Sequence, residues 1–175
     1  DGVHKVFLTI EKKSKTNLLH PIYIFLEKKC FNRAKHIIAN SQMVKNDIIS
    51  TYKIAPEKIS VIHNGVSTKE FNYQKSFDKL SKEFLLSKDQ KILLYVGSGF
   101  KRKGVKEFLN IISKLKDLDI KAFVIGKEKN IEYYQQLSRE LSIDKQVIFT
   151  GARGDVDDFY TIADIFLFPT HYEPF

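Results

Sequence analysis

Residues 97–104 read Gly-Ser-Gly-Phe-Lys-Arg-Lys-Gly, so glycines and three successive cations share one short stretch. Glycine lets a backbone approach a ligand closely, and N–H groups at the start of a following helix favour an anion. Lys101, Arg102 and Lys103 reinforce that preference, and a diphosphate suits such a loop. The spacing matches neither of two familiar phosphate loops. Gly104 is followed by Val105 instead of the Lys-Ser or Lys-Thr of a Walker loop, and the glycines at 97, 99 and 104 are too widely spaced for a dinucleotide fingerprint. A solvated, lysine-rich turn is the plain alternative.

Three further segments carry residues of interest. Gly126 opens one, and Gly151-Ala152-Arg153-Gly154 forms another. The third, His171-Tyr172-Glu173-Pro174-Phe175, brings a carboxylate. Beside a bare diphosphate Glu173 would be repelled, whereas sugar hydroxyls are good partners for it; an exposed loop acid is the alternative. His63, next to Asn64-Gly65, reads as a turn residue, and His4, His20 and His36 lack metal-ligand spacing. Neither a metal nor another cofactor is therefore expected. Tyr133-Tyr134 reads as a core contact plus a surface ring, and Ser41 as a helix cap without the histidine and acid of a nucleophile.

The elements that must position these residues follow from periodicity. Helices are expected over 21–34, 42–52, 77–86, 105–116, 131–141 and 156–163. Short apolar strands are expected over 35–40, 59–62, 92–96, 122–125, 147–149 and 165–168. From residue 91 the strands and helices alternate, which predicts a parallel sheet with helices on both faces, part of a doubly wound α/β fold. In such a sheet ligands bind outside the carboxyl ends of the strands. The loops beginning at Gly97, Gly126, Gly151 and Pro169 all fall on that edge.

The chain has 175 residues, 43% of them hydrophobic and 29% charged, an ordinary globular composition that excludes disorder. Apolar runs reach four or five residues, as in Ile22–Leu26, against the roughly 20 that a membrane-spanning helix needs. One cysteine, Cys30, excludes a disulfide framework, and a reducing, cytoplasmic location is expected. The net charge of +8 draws the chain toward anionic partners, an anionic membrane surface included. Nucleic acid is not expected, because only Arg33, Arg102, Arg139 and Arg153 among the 29 basic residues are arginine. The chain opens on a segment with no strand of its own and stops just after a strand, so it reads as a piece of a longer protein.

Taken in order, Ile59–Val66, Tyr95–Gly104, Val124–Gly126, Phe149–Gly151 and Ala163–Phe175 resemble the retaining GT-B glycosyltransferases of family 4, the group 1 nucleotide-sugar transferases. The resemblance implies two Rossmann-like domains. Residues 1–58 would be the last part of an N-terminal, acceptor-binding domain, and 59–175 the first part of a nucleotide-sugar domain. It implies a nucleotide-sugar donor, of the UDP-hexose kind, and a glycan or glycolipid acceptor. Where the usual family loop has arginine after its first glycine, this chain has Ser98. The adjacent Arg102-Lys103 pair matches the form found in lipopolysaccharide core glucosyltransferases. Carried over by position, Arg102, Lys103 and Glu173 are the catalytic residues. Gly97, Ser98, Gly99, Gly126, Gly151, Ala152 and Arg153 would line the donor. Glu173 matches the first acid of a Glu-x7-Glu motif whose second acid would lie beyond the last residue, so these residues alone are expected to be inactive. A nicotinamide-binding Rossmann protein with Glu128 as its ribose acid, and a basic RNA- or membrane-binding module, are the competing readings.

Overall fold

The computed structural model describes residues 6, 19–67, 69–171 and 173. Tyr172, Pro174 and Phe175 of the segment singled out above lie outside the described residues, as does His4. The chain divides into two compact units, one holding the described residues up to Ser67 together with Glu173 and the other running from Thr68 to His171.

The first unit contains α1 (Leu19–Arg33), β1 (Ile37–Ala39), α2 (Gln42–Tyr52) and β2 (Ile59–Val61). Ser41 caps α2, its hydroxyl accepting the Val44 N–H at 3.2 Å. β1 and β2 pair in parallel, Ile37 opposite Ile59, and cover a small core with Val44, Ile48, Tyr52 and Ile54. Because β2 pairs with β1, the expected boundary after residue 58 falls inside this unit. The helix expected over 21–34 forms as Leu19–Arg33. Ile22, Phe25 and Leu26 stay exposed, while Ile24 and Phe31 face the core. Tyr52 sets the inward face: its ring meets Phe31 at 5.4 Å and its hydroxyl donates to Glu27. His63 lies just past β2 with Nδ1 3.1 Å from the Asn40 carbonyl oxygen, and residues 62–67 form neither the expected turn nor any regular element.

The second unit contains α3 (Tyr73–Phe84), β3 (Lys91–Val96), α4 (Val105–Ser113), β4 (Ile120–Ile125), α5 (Ile131–Glu140), β5 (Val147–Gly151), α6 (Val156–Ile162) and β6 (Ile165–Phe166). The strands form one parallel sheet in the order β5-β4-β3-β6. Alternate residues of the central strands feed two cores. Leu93, Tyr95, Ala122 and Val124 pack with Phe108 and Leu109 of α4 on one face. Ile92, Leu94, Phe123 and Ile125 pack with Leu80 of α3 and Phe159 of α6 on the other. The α/β fold class is as expected. α3 starts earlier than its apolar pattern, at Tyr73, because Asn72 caps it by accepting the Lys75 N–H at 2.9 Å.

Charged side chains join α3 to the start of α6. Arg153 grips Glu83 with Nη1 and Nη2 at 2.6 and 2.9 Å, and Asp155 with Nε and Nη2 at 2.8 and 2.9 Å. Its guanidinium also lies over Phe159, 5.0 Å from the ring centre. Lys79 bridges Asp155 and Asp158 at 2.6 and 2.7 Å, and the Ser76 hydroxyl donates to Asp158 at 2.7 Å. Hydrogen bonds from Arg153 and then Lys79 hold the Asp155 carboxyl far below the ordinary 3.8. Lys79 and Ser76 lower Asp158 in the same sense. A carboxyl whose folded pKa is depressed stabilises the fold above its unfolded value and loses that contribution as pH falls toward the folded one. Stability of this unit should therefore drop as pH falls below about 3.8, the ordinary value for both acids. Asp155→Asn should cost about 1.5–3 kcal/mol at pH 7 and flatten the acid limb. Urea unfolding of both forms at pH 7 and pH 3 measures it; an unchanged acid slope in the variant would sink the assignment.

Candidate functional site

At the carboxyl edge of the second sheet, β4 and β5 lie to one side of β3 and β6 to the other. The strand order thus reverses at β3, where the loops after β3 and β6 stand side by side, and at such a switch point α/β sheets bind their ligands. Glycines at this edge permit contacts that a side chain would block. A Cβ at Gly126, where φ is +153°, would stand 2.1 Å from the Gly97 carbonyl oxygen. One at Gly104, with φ +77°, would stand 1.9 Å from the Pro169 carbonyl oxygen. The β3–α4 loop thus touches the β4–α5 loop at one end and the loop after β6 at the other, backbone to backbone.

Hydrogen bonds pin the loop along its length. The Gly97 N–H donates to Ile125 O at 2.8 Å, prolonging the β3–β4 ladder. Ser98 Oγ accepts the Lys127 N–H at 2.9 Å. Glu128 accepts the Phe100 N–H at 2.9 Å with one carboxylate oxygen and the Asn130 N–H at 3.1 Å with the other. The Phe100 ring is fully buried against Tyr95 and Tyr134, at 6.0 and 5.2 Å between centres. Past it, Lys101, Arg102 and Lys103 arch over to Gly104. The Arg102 carbonyl accepts the His171 N–H at 3.1 Å. The Lys103 stem lies against Gly97, and its Nζ sits 5.1 Å from the centre of the Phe168 ring.

Seven of the residues singled out from sequence (Gly97, Ser98, Gly99, Arg102, Lys103, Gly126 and Gly151) meet on this edge. Gly97 and Gly126 touch, and the Gly126 N–H donates to Gly151 O at 2.9 Å. Ala152 follows in an exposed bend. Arg153 turns instead to Glu83 and Asp155, so its fork is filled by protein carboxylates. Glu173 lies beyond His171, the last residue of this unit. Tyr134 is core and Tyr133 an exposed ring, as their pattern implied; burial, then Glu128, pushes the Tyr134 hydroxyl up to about 12. Glu128 has both oxygens engaged by loop N–H groups, one on each. Its loop-holding role, and that of Phe100, carried no sequence signal, since the bond spans 28 residues.

The family description Glycosyl transferases group 1 matches residues 76–175, and Glycosyltransferase Family 4 matches residues 2–70. The chain belongs to the group 1 glycosyltransferases. Over 161 residues it is 25% identical to the lipopolysaccharide glucosyltransferase WaaG of Escherichia coli, covering 86% of this chain and 42% of that protein. A crystal structure of WaaG, a glycosyltransferase involved in lipopolysaccharide biosynthesis, superposes with TM-score 0.81 at 22% identity, over 99% of this chain and 50% of that one. HepE of Anabaena, solved with UDP and glucose, gives TM-score 0.74 at 20% identity, covering 99% of this chain and 47% of that one. At these identities the superpositions establish a shared fold. This group 1 chain spans 37–42% of the length of the curated relatives first in similarity.

The glycine contacts rank the cost of adding a methyl group. Gly99, with φ +77°, has open space around its Cβ position, so Gly99→Ala should cost only about 1–2 kcal/mol of backbone strain. Gly104→Ala and Gly126→Ala add a backbone collision and should cost at least about 2 kcal/mol more. Thermal and urea unfolding of the three variants gives the order; equal costs would refute the close approach.

Proposed function

We propose that this chain carries the nucleotide-binding part of a retaining glycosyltransferase that moves a hexose from a UDP-sugar to a glycan or glycolipid acceptor. The observation that carries the reading is the pinned Lys101-Arg102-Lys103 arch at the switch point between β3 and β6. Family membership supports the reaction class, and HepE, solved with UDP and glucose, supports the donor class. WaaG, named for lipopolysaccharide, supports a glycan or glycolipid acceptor. The basic excess favours work at an anionic membrane surface on the cytoplasmic side, and no helix among the described residues is long and apolar enough to cross a membrane.

Breaking the glycosyl–phosphate bond leaves negative charge on the departing diphosphate and positive charge on the sugar. Cations fixed beforehand stabilise the leaving group without reorganising during the reaction. In this reading Arg102 offers a two-pronged fork to phosphate oxygens, and Lys103 a point charge. Gly97, Ser98, Gly99, Gly126, Gly151 and Ala152 bring backbone close to the nucleotide. Arg153 supports the edge through Glu83 and Asp155 instead of touching phosphate. Glu173 serves the sugar hydroxyls, away from the phosphates that would repel it.

In the full-length protein Arg102→Ala should weaken free UDP and UDP-sugar alike, by about 1.5–3 kcal/mol. Lys103→Ala should lower kcat more than it raises KM for the donor, because the leaving diphosphate gains charge in the transition state. Glu173→Gln should leave UDP binding nearly intact and reduce turnover. Calorimetry with UDP, paired with initial rates, separates the three roles. Loss of UDP binding in Glu173→Gln but not in Arg102→Ala would reverse the assignment, and binding of NADH in preference to UDP would end it.

A further inference from the structure

We propose that Glu128 is a positioning residue for the donor diphosphate, holding the β3–α4 loop in the one shape that presents Arg102 and Lys103 to it. The proposal rests on the nucleotide-sugar reading above. Glu128 sits in the neighbouring loop and spends its two oxygens on two different N–H groups, Phe100 at 2.9 Å and Asn130 at 3.1 Å. The first bond fixes the start of the cationic arch, and the second ties the same carboxylate to the N-cap residue of α5. The far end of the arch returns to the same point, since the Val105 N–H donates to Phe100 O at 3.0 Å. Phe100 is thus held by its ring, its N–H and its carbonyl, and the three cations span a closed arch. Ser98, accepting the Lys127 N–H, is a second staple between the same two loops.

A carboxylate is suited to this task because it only accepts. The amide of glutamine would turn an N–H group toward one of the two donors. The placement is otherwise costly for anion binding, since a negative charge beside the arch opposes a diphosphate through Coulomb repulsion. Two effects of removing that charge therefore have opposite signs. If Glu128 acted only as a nearby charge, Glu128→Gln would tighten diphosphate binding. If it holds the loop, the same change loosens the arch and weakens binding.

The test uses the full-length protein, calorimetry with UDP, and amide exchange at Phe100 and Asn130. Glu128→Gln should raise the Kd for UDP about tenfold or more, the loss expected for a hydrogen bond to a charged group. Exchange at Phe100 should accelerate by a comparable factor, while Leu94 and Val124 in the central strands stay protected and report an intact fold. Glu132→Gln removes the same charge from an exposed position on the first turn of α5 and should leave UDP affinity unchanged or slightly tighter. Unchanged or tighter UDP binding by Glu128→Gln, or unaltered exchange at Phe100, overturns the proposal. If the unsubstituted protein does not bind UDP, the donor reading fails and takes this role with it, and the wild-type titration alone shows that outcome.

Discussion

The carboxylate of Asp164 accepts the Ile92 N–H at 2.8 Å, and the Asp164 N–H donates to the Ile92 carbonyl at 2.9 Å. Lys91 adds an ion pair at 3.0 Å, and the Ile92 bond holds the Asp164 carboxyl below its ordinary value. These contacts seat β6 beside β3, with Ile165 opposite Leu93. Only that seating makes the strand order reverse around β3. With it comes the approach of Pro169 to Gly104, and so the far anchor of the cationic arch. A β6 residing next to β5 would leave the same loop without a facing wall.

Charge at this edge is divided between two tasks. Arg153 and Lys79 are consumed by Glu83, Asp155 and Asp158, where they lock α3 to the α6 end of the sheet. Paired this way, and stacked on Phe159, an arginine contributes structure and has little capacity left for a ligand. Arg102 and Lys103 lie instead in a loop whose shape is set by its backbone: by glycine contacts, by Glu128 and by the fully buried ring of Phe100.

Most elements of the second unit were legible in the sequence because their signals are local. The runs 92–96 and 122–125 lie within strands Lys91–Val96 and Ile120–Ile125, each buried on both faces. Their lengths and the intervening helical periods follow from residues within one turn or one strand. What was not legible is what a distant partner decides. Which face of α1 packs inward depends on Tyr52, and the pairing of β2 with β1 depends on a strand 22 residues earlier in register. Arg153 looked like a ligand contact because its loop is on the right edge; that Glu83, 70 residues away, would fill its fork left no trace in the pattern.

By itself, then, the sequence determined the element types, the parallel α/β class, the glycine-and-cation loop and the resemblance to the group 1 transferases. Each rests on short-range periodicity, on backbone preferences of glycine and proline, or on ordered motifs along the chain. Tertiary structure decided the strand order β5-β4-β3-β6, which glycines meet another backbone, and which charged side chains pair across the fold. Those outcomes are set by packing and hydrogen bonds between residues far apart in the chain. Their energies depend on a geometry that exists only once the sheet has assembled.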